Sequence, residues 1–392
     1  MTRPLALLIL AQFLSAFADN AVLFTVISLA LREGEPPSWY IPLLQSVFIL
    51  AYIVLTPWVG ALADQHQKPR ILLVANGIKG LGAALIATGL EPLIGYAVIG
   101  IGAALYGPAK YGIIPELSSR SRLVKANGWV EGSTIAAILI GTVGGARLAD
   151  DSISLALTLV ISFYGISGLS TLWLPRGIPT KSSAGFRALS ELSGSLKLLW
   201  QDKRPRLIVT ALSLFWALAA TLRVILVAWA PAVLHAETAS QIADLTFFMA
   251  MGIVFGAALA PRLIPIDRVR RTRFAAYLLA MLLTLMANVT GLWEAKAVLF
   301  GIGILGGILV VPLNAAIQEL GHQSIGSGRA VAAQNFFQNT AILVGMGIYG
   351  GAATLGLPPA PAIALLGGLT LLLTVVIERS LPPIQAPSDP RR

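Results

Sequence analysis

Apolar residues run along this chain in long blocks, interrupted by short polar or basic stretches. A helix crosses a bilayer with about 20 mostly apolar residues. Twelve segments fit that requirement: 5–31, 41–63, 71–90, 93–115, 125–149, 153–174, 206–234, 240–263, 272–291, 295–319, 328–355 and 359–378. Most of the intervals between them are short and carry Pro, Gly or charge. One interval, 175–205, is longer and basic, with Arg176, Lys181, Arg187, Lys197, Lys203 and Arg204. Within it Phe186, Leu189, Leu192, Leu196 and Leu199 recur at helical spacing, which predicts an amphipathic helix on a membrane surface. The pattern divides the chain into a six-helix bundle over 1–174, a cytoplasmic linker over 175–205, a second six-helix bundle over 206–380 and a short tail over 381–392.

The first block admits a second reading. Ala16-Phe17-Ala18 has the small-x-small form of a signal-peptide cleavage site, with Arg3 and apolar residues before it. A signal-peptide apolar region spans about 7–15 residues. Here the apolar run continues from Ala21 to Leu31. Cleavage would delete half a span and leave an odd number of spans, so a membrane helix is the better reading. Asp19 then lies fourteen residues beyond Leu5, about 21 Å along the helix and near mid-bilayer.

Composition agrees with the pattern. The 392 residues are 56% hydrophobic and 12% charged, against about 25% charged in soluble domains. An all-α membrane protein with twelve transmembrane helices follows. The absence of cysteine excludes a disulfide framework and thiolate chemistry. His66, His235 and His322 are widely spaced, without other ligands beside them, so no metal site or cofactor is expected.

The net charge of +10 raises nucleic-acid binding as a class. Its distribution answers that. With the N-terminus cytoplasmic, 22 Lys and Arg fall on the cytoplasmic side and three, Arg32, Arg147 and Lys296, on the outer side. Lys79, Lys110 and Arg223 lie inside spans. The basic balance reports topology, with both termini cytoplasmic, rather than a nucleic-acid footprint. The same face attracts anionic lipid headgroups.

The halves repeat. GIGAALYGPAKYGIIPEL (Gly100–Leu117) resembles GIGILGGILVVPLNAAIQEL (Gly301–Leu320). A shift of 204 residues carries Pro108 onto Pro312, Gly102 onto Gly306 and Asp19 onto Arg223. The fifth and eleventh spans both open with polar stripes, Asn127 and Glu131 in one, Gln334, Asn335, Gln338 and Asn339 in the other. Two six-span repeats joined by a basic linker are the organisation of a transporter.

A charge at mid-bilayer costs roughly 2.5–3.5 kcal/mol on insertion scales, so charged positions face the protein interior. Asp19 shares its helical face with Gln12 and Ser15, Lys79 with Asn76, Lys110 with Tyr106, Glu131 with Asn127 and Thr134, and Arg223 with Trp216 and Ala220. An Arg grips a phosphodiester through two parallel hydrogen bonds, whereas an ammonium calls for a carboxylate. The enzyme class finds no support: the chain holds no G-x-x-x-x-G-K-[ST] loop, G-x-S-x-G elbow or acyltransferase-like His-to-Asp pair.

GALADQHQKPR (Gly60–Arg70) resembles the signature G-x-L-a-D-x-x-G-R-x of the major facilitator superfamily. Gly60, Leu62, Asp64 and Lys68 match, while Gln67 replaces the second Gly. The second-half counterpart, LIPIDRVRR, keeps only Asp267 and a basic cluster. Within that superfamily, QFLSAFADNAVLF, YGPAKYGI, KANGWVEGSTIAAIL and VPLNAAIQE resemble the bacterial lysophospholipid transporter family, and the likeness runs end to end.

The resemblance implies a flippase carrying lysophosphatidylethanolamine and related lysolipids to the cytoplasmic leaflet of the bacterial inner membrane. It serves phospholipid remodelling with a separate acyltransferase at the inner face, and the default state is a monomer. It places spans one, four, seven and ten around a central cavity, with Asp19, Lys110, Arg223 and Asn314 lining it. Arg223 and Lys110 are then expected to hold phosphate, and Asp19 and Glu131 to meet an amine or orient the cations. Asn20, Tyr106, Asn127, Asn314, Lys79 and Trp216 complete the expected binding set.

Gating is expected at Asp64, at Glu116 and Glu319 near the cytoplasmic helix ends, and at Pro108 and Pro312, which favour kinks. The small-residue pairs Gly141/Gly145, Gly252/Gly256 and Gly347/Gly351 mark close packing. The fold places spans five with eight and two with eleven at the seams between halves, so Gly141 and Gly252 are expected to control sideways lipid entry. The alternative function in the same fold is a proton-coupled exporter of drugs or small solutes, with Asp19 and Glu131 as proton carriers.

Overall fold

The computed structural model describes residues 2–34, 36–118, 123–175, 186–264, 266–324 and 327–380. The side chains of Asp64, Asn127, Glu131, Asp267 and Glu319 lie outside the described part, as do linker residues Arg176, Lys181 and Arg187 and the tail from 381.

Among the described residues every regular element is helical. The first half holds α1 (Arg3–Arg32), α2 (Tyr40–Gln65), α3 (Lys68–Ala87), α4 (Pro92–Leu117), α5 (Leu123–Asp151) and α6 (Ile153–Ser170), which ends in a short 3₁₀ turn. The linker carries α7 (Phe186–Gln201). The second half holds α8 (Lys203–Leu234), α9 (Ala239–Leu263), α10 (Thr272–Met286), α11 (Leu292–Ser324), α12 (Ser327–Thr354) and α13 (Pro359–Ser380).

Local chemistry sets the boundaries. Pro sits in the first turn of α1, α3 and α4, where its missing N–H has no intrahelical partner to lose. Ser152 caps α6, and Thr238 with Gln241 forms a capping box on α9. α1 passes unbroken through Ala16-Phe17-Ala18.

Among the described residues, ten helices are long and apolar enough to cross a membrane. The two expected spans outside that set have identifiable reasons. α10 is only 15 residues long, about 22 Å of helix. α12 carries Gln334, Asn335, Gln338 and Asn339 in its first half, which lowers its mean hydropathy.

The 204-residue shift holds in space. A Cβ on Gly141 of α5 would lie 2.6 Å from the Phe17 carbonyl oxygen of α1. At the shifted position, a Cβ on Gly345 of α12 would lie 2.7 Å from Thr221 Oγ1 of α8. The halves meet where α5 packs on α9, α2 on α12 and α1 on α9. α7 packs against α2, α8 and α12, and Trp200 stacks on Phe337 with ring centroids 5.1 Å apart. The linker helix therefore covers one end of the α2–α12 seam.

Candidate functional site

The polar stripe of α1 turns into the first bundle and meets polar residues from α3, α5 and α6. Gln12 Nε2 donates to Thr134 Oγ1 at 2.9 Å. Ser15 Oγ donates to Asn76 Oδ1 at 2.9 Å, and Asn76 Nδ2 donates to Ser167 Oγ at 3.1 Å. The Lys79 ammonium donates to Ser15 Oγ at 3.0 Å and to Asp19 Oδ2 at 2.8 Å. Tyr164 donates its hydroxyl to the other carboxylate oxygen, Asp19 Oδ1, at 2.8 Å. Lys79 Nζ also lies 4.7 Å from the Tyr106 ring centroid and 5.6 Å from that of Tyr164.

The Lys79 side chain is 1% exposed and that of Asp19 24% exposed, so the pair runs from the bundle core to a partly open position. Both carboxylate oxygens are held, and the ammonium faces two rings, a hydroxyl and the acid. This satisfies a pair of charges that would otherwise be costly at this depth.

The 204-residue shift makes Asp19 and Arg223 counterparts, and the structure gives the acid a partner of its own. Lys79 on α3 reaches Asp19 from within its own half. Among the described residues Arg223 makes no ion pair; its guanidinium lies 5.6 Å from the Phe24 ring centroid. The repeat explains why. The 204-residue shift carries Ser15, Asn76 and Lys79 onto Ala219, Ala280 and Leu283. Where the first half has a polar network, the second has an apolar cavity lined by Ala219, Leu222, Leu279 and Leu283. Arg223 has inherited the place of Asp19 with no acid paired to it among the described residues.

The remaining binding candidates lie on α1, α4, α5, α8 and α11. Lys110 is buried on α4, with Nζ 4.1 Å from the Tyr111 ring centroid. Asn314 accepts a 2.8 Å hydrogen bond from Gln334 Nε2, joining α11 to α12. Trp216, half-buried, sits edge-on to Phe215. Asn20 bonds back to the Ala16 carbonyl of its own helix. Asn127 and Glu131 lie on α5, their side chains outside the described part.

The gating expectations change more. Glu116 pairs with Lys68 at 2.6 Å, from α4 to α3. Both belong to the first half, so this pair does not clamp the halves together. Gly141 packs on Phe17 of α1, and Gly252 packs on Phe300 and Gly303 of α11. Each close approach lies within one bundle, so a Trp at either position would first disrupt its own bundle. The close contact in the α2–α12 seam is at Gly350, where a Cβ would lie 3.2 Å from Pro42 Cβ. Gly347 and Gly351 face open space. Pro108 and Pro312 both lie inside continuous helices, α4 and α11.

Sequence reasoning missed Tyr164 and Ser167 because a tyrosine and a serine in a largely apolar span read as packing. It also missed Asp150, one residue beyond the expected span 125–149. Asp150 lies in the last turn of α5, where its carboxylate accepts backbone N–H bonds from Ala239 and Ser240 at the start of α9.

Three comparisons bear on these observations. A family model described as Major Facilitator Superfamily matches residues 8–346. Proteins called lysophospholipid transporter LplT from Yersinia pestis and Yersinia pseudotuberculosis are 42% identical over 362 residues, which cover 91% of this chain and 89% of each relative. Among solved structures, the nucleoside transporter NupG superposes with a TM-score of 0.74 at 13% identity, covering 97% of this chain and 99% of that one. The human organic anion transporter MFSD10 gives a TM-score of 0.71 at 16% identity, covering 96% and 100%. At these identities the structural likeness speaks to the fold alone.

Proposed function

From the premise that this chain belongs to the major facilitator superfamily, and within it to the lysophospholipid transporters, we propose that it moves lysophospholipids across a bacterial inner membrane. The bundles 1–174 and 206–380 rock about a central cavity, joined by the linker 175–205, with both termini and the tail 381–392 cytoplasmic. Substrate arrives in the cytoplasmic leaflet, where a separate acyltransferase restores its second chain. The working unit is a monomer.

One observation carries the site: Arg223 is a cation inside a membrane helix with no acid paired to it among the described residues. An unpaired cation at that depth is costly unless an anion visits it. The phosphodiester of a lysophospholipid supplies that anion, and guanidinium geometry grips two of its oxygens at once. Lys110 adds a second cation from α4. Asp19, held through both oxygens by Lys79 and Tyr164, orients Lys79 and balances its charge. We assign Asn20, Asn314, Tyr106 and Trp216 to the path around these groups, with Asn127 and Glu131 of α5 as further candidates. The single acyl chain lies along the apolar wall and reaches the bilayer through a seam between the halves.

The test is uptake of labelled lysophosphatidylethanolamine into proteoliposomes. Wild type takes it up, and Arg223→Ala loses most of that uptake while remaining folded. Absence of uptake by folded wild type overturns the function. Wild-type uptake by Arg223→Ala overturns the site.

A further inference from the structure

Between described residues, the hydrogen bonds and ion pairs that join the two halves lie at the end of the molecule where α1 and α5 stop and α9 begins. Asp150 is their centre. Its Oδ1 accepts from Ala239 N at 3.2 Å and its Oδ2 from Ser240 N at 2.9 Å. Ser28 of α1, buried, donates to Oδ1 at 3.1 Å and fixes the carboxylate from its own side. Arg32 donates to the Ala149 and Asp150 carbonyl oxygens, satisfying the open C-terminal end of α5. One turn into α9, Asp244 lies 3.8 Å from Arg147 of α5 and 3.9 Å from Lys296 of α11.

α9 does not need Asp150 to start. Thr238 accepts from Gln241 N, and the Gln241 side chain accepts from Glu237 N and Thr238 N. That box caps the helix from within its own half. The N–H groups of Ala239 and Ser240 are left over, at the positive end of the helix dipole. The first half covers them with a carboxylate, so these bonds serve the join between halves rather than formation of the helix.

We propose that Asp150 is a gating residue: with Ser28 behind it and the first turn of α9 before it, it latches the two bundles shut at this face. The bundles part there only when Asp150 exchanges two backbone donors for water. Arg147–Asp244 is a weaker second contact, because Arg147 is 67% exposed and its distance is long. The inference rests on two rocking bundles and not on the identity of the cargo.

The chain has no cysteine, so a single Val227→Cys on α8, buried one turn beyond Arg223 toward the latched end, reports access without background. A membrane-impermeant maleimide is applied to each face in oriented vesicles. Two variants attack the latch from opposite halves. Asp150→Asn removes the charge. Ala239→Pro removes one donor at the first helical position, where the helix tolerates Pro and Thr238 before it is already extended.

Both variants are expected to label about tenfold faster from the latched face and more slowly from the opposite face, as loss of charge-assisted bonds shifts the two-state balance. Unchanged labelling in the variants that fold overturns the latch. Faster labelling from both faces overturns it too, since that reports a loosened fold. If Asp150→Asn does not accumulate, Ala239→Pro decides alone. Lysolipid uptake is not read here, so failure of the latch is distinguishable from failure of the substrate reading.

Discussion

The two bundles share a frame and differ in what fills it. In the first, the space between α1, α3 and α6 holds Ser15, Asn76, Lys79, Tyr164 and Ser167 around Asp19. In the second, the corresponding space between α8 and α10 is apolar, with Ala219 and Leu283 at the shifted positions of Ser15 and Lys79. The acid and the guanidinium occupy equivalent places, yet only the acid is neutralised by its own half. A duplicated scaffold sets where charges stand; the second shell decides whether each is a structural pair or an open site. That difference separates the residues expected to govern stability from those expected to govern transport.

The largest effect comes from erasing the difference. Lys79→Leu gives the first half the residue of the second and strands the Asp19 carboxylate, at a cost of about 3–5 kcal/mol. Thermal unfolding in detergent reads this as a large fall in midpoint. Adding Asp19→Asn recovers most of the loss, because no lone charge remains; failure to recover would mean that the pair is not what Lys79 supplies.

Tyr164→Phe removes one hydroxyl from a carboxylate that keeps its lysine, and costs about 1.5–3 kcal/mol in the same assay. No loss would place Asp19 away from α6. Gly141→Ala is next, at about 1–3 kcal/mol, because the added methyl meets the Phe17 backbone. Its counterpart Gly345→Ala costs less, since the nearest atom is the hydroxyl of Thr221, which rotates. Equal costs would deny that the bundles differ in how closely these helices approach. Arg223→Ala changes stability least, by less than about 1 kcal/mol, because it breaks no ion pair among the described residues. A large destabilisation there would reveal a partner for Arg223.

The helices were legible because most carry a long apolar run, and apolar length is a property of the sequence alone. Both charges of the repeat were visible as isolated ionisable residues in apolar runs. Their pairing was not. Helical periodicity places Asp19 and Lys79 on inward faces, but the distance between α1 and α3 decides that Lys79 reaches Asp19 before Arg223 does. Tyr164 gave no signal, since a tyrosine in an apolar helix reads as packing. The latch was hidden for a similar reason: Asp150 bonds to backbone N–H groups of another helix, and backbone donors carry no residue code. Gly141 and Gly252 announced close packing correctly, but the identity of the neighbouring helix, α1 for one and α11 for the other, belongs to tertiary structure.

Equilibrium binding of lysophosphatidylethanolamine to the purified protein tests the contrast most directly. It compares wild type with Arg223→Gln and with the neutral double variant Asp19→Asn/Lys79→Leu. If Arg223 is the open anion site and Asp19–Lys79 a closed internal pair, Arg223→Gln weakens binding by about tenfold or more, one charge-assisted contact or greater. The double variant then stays within about threefold of wild type. Binding that survives Arg223→Gln and collapses in the double variant would contradict this division between the halves.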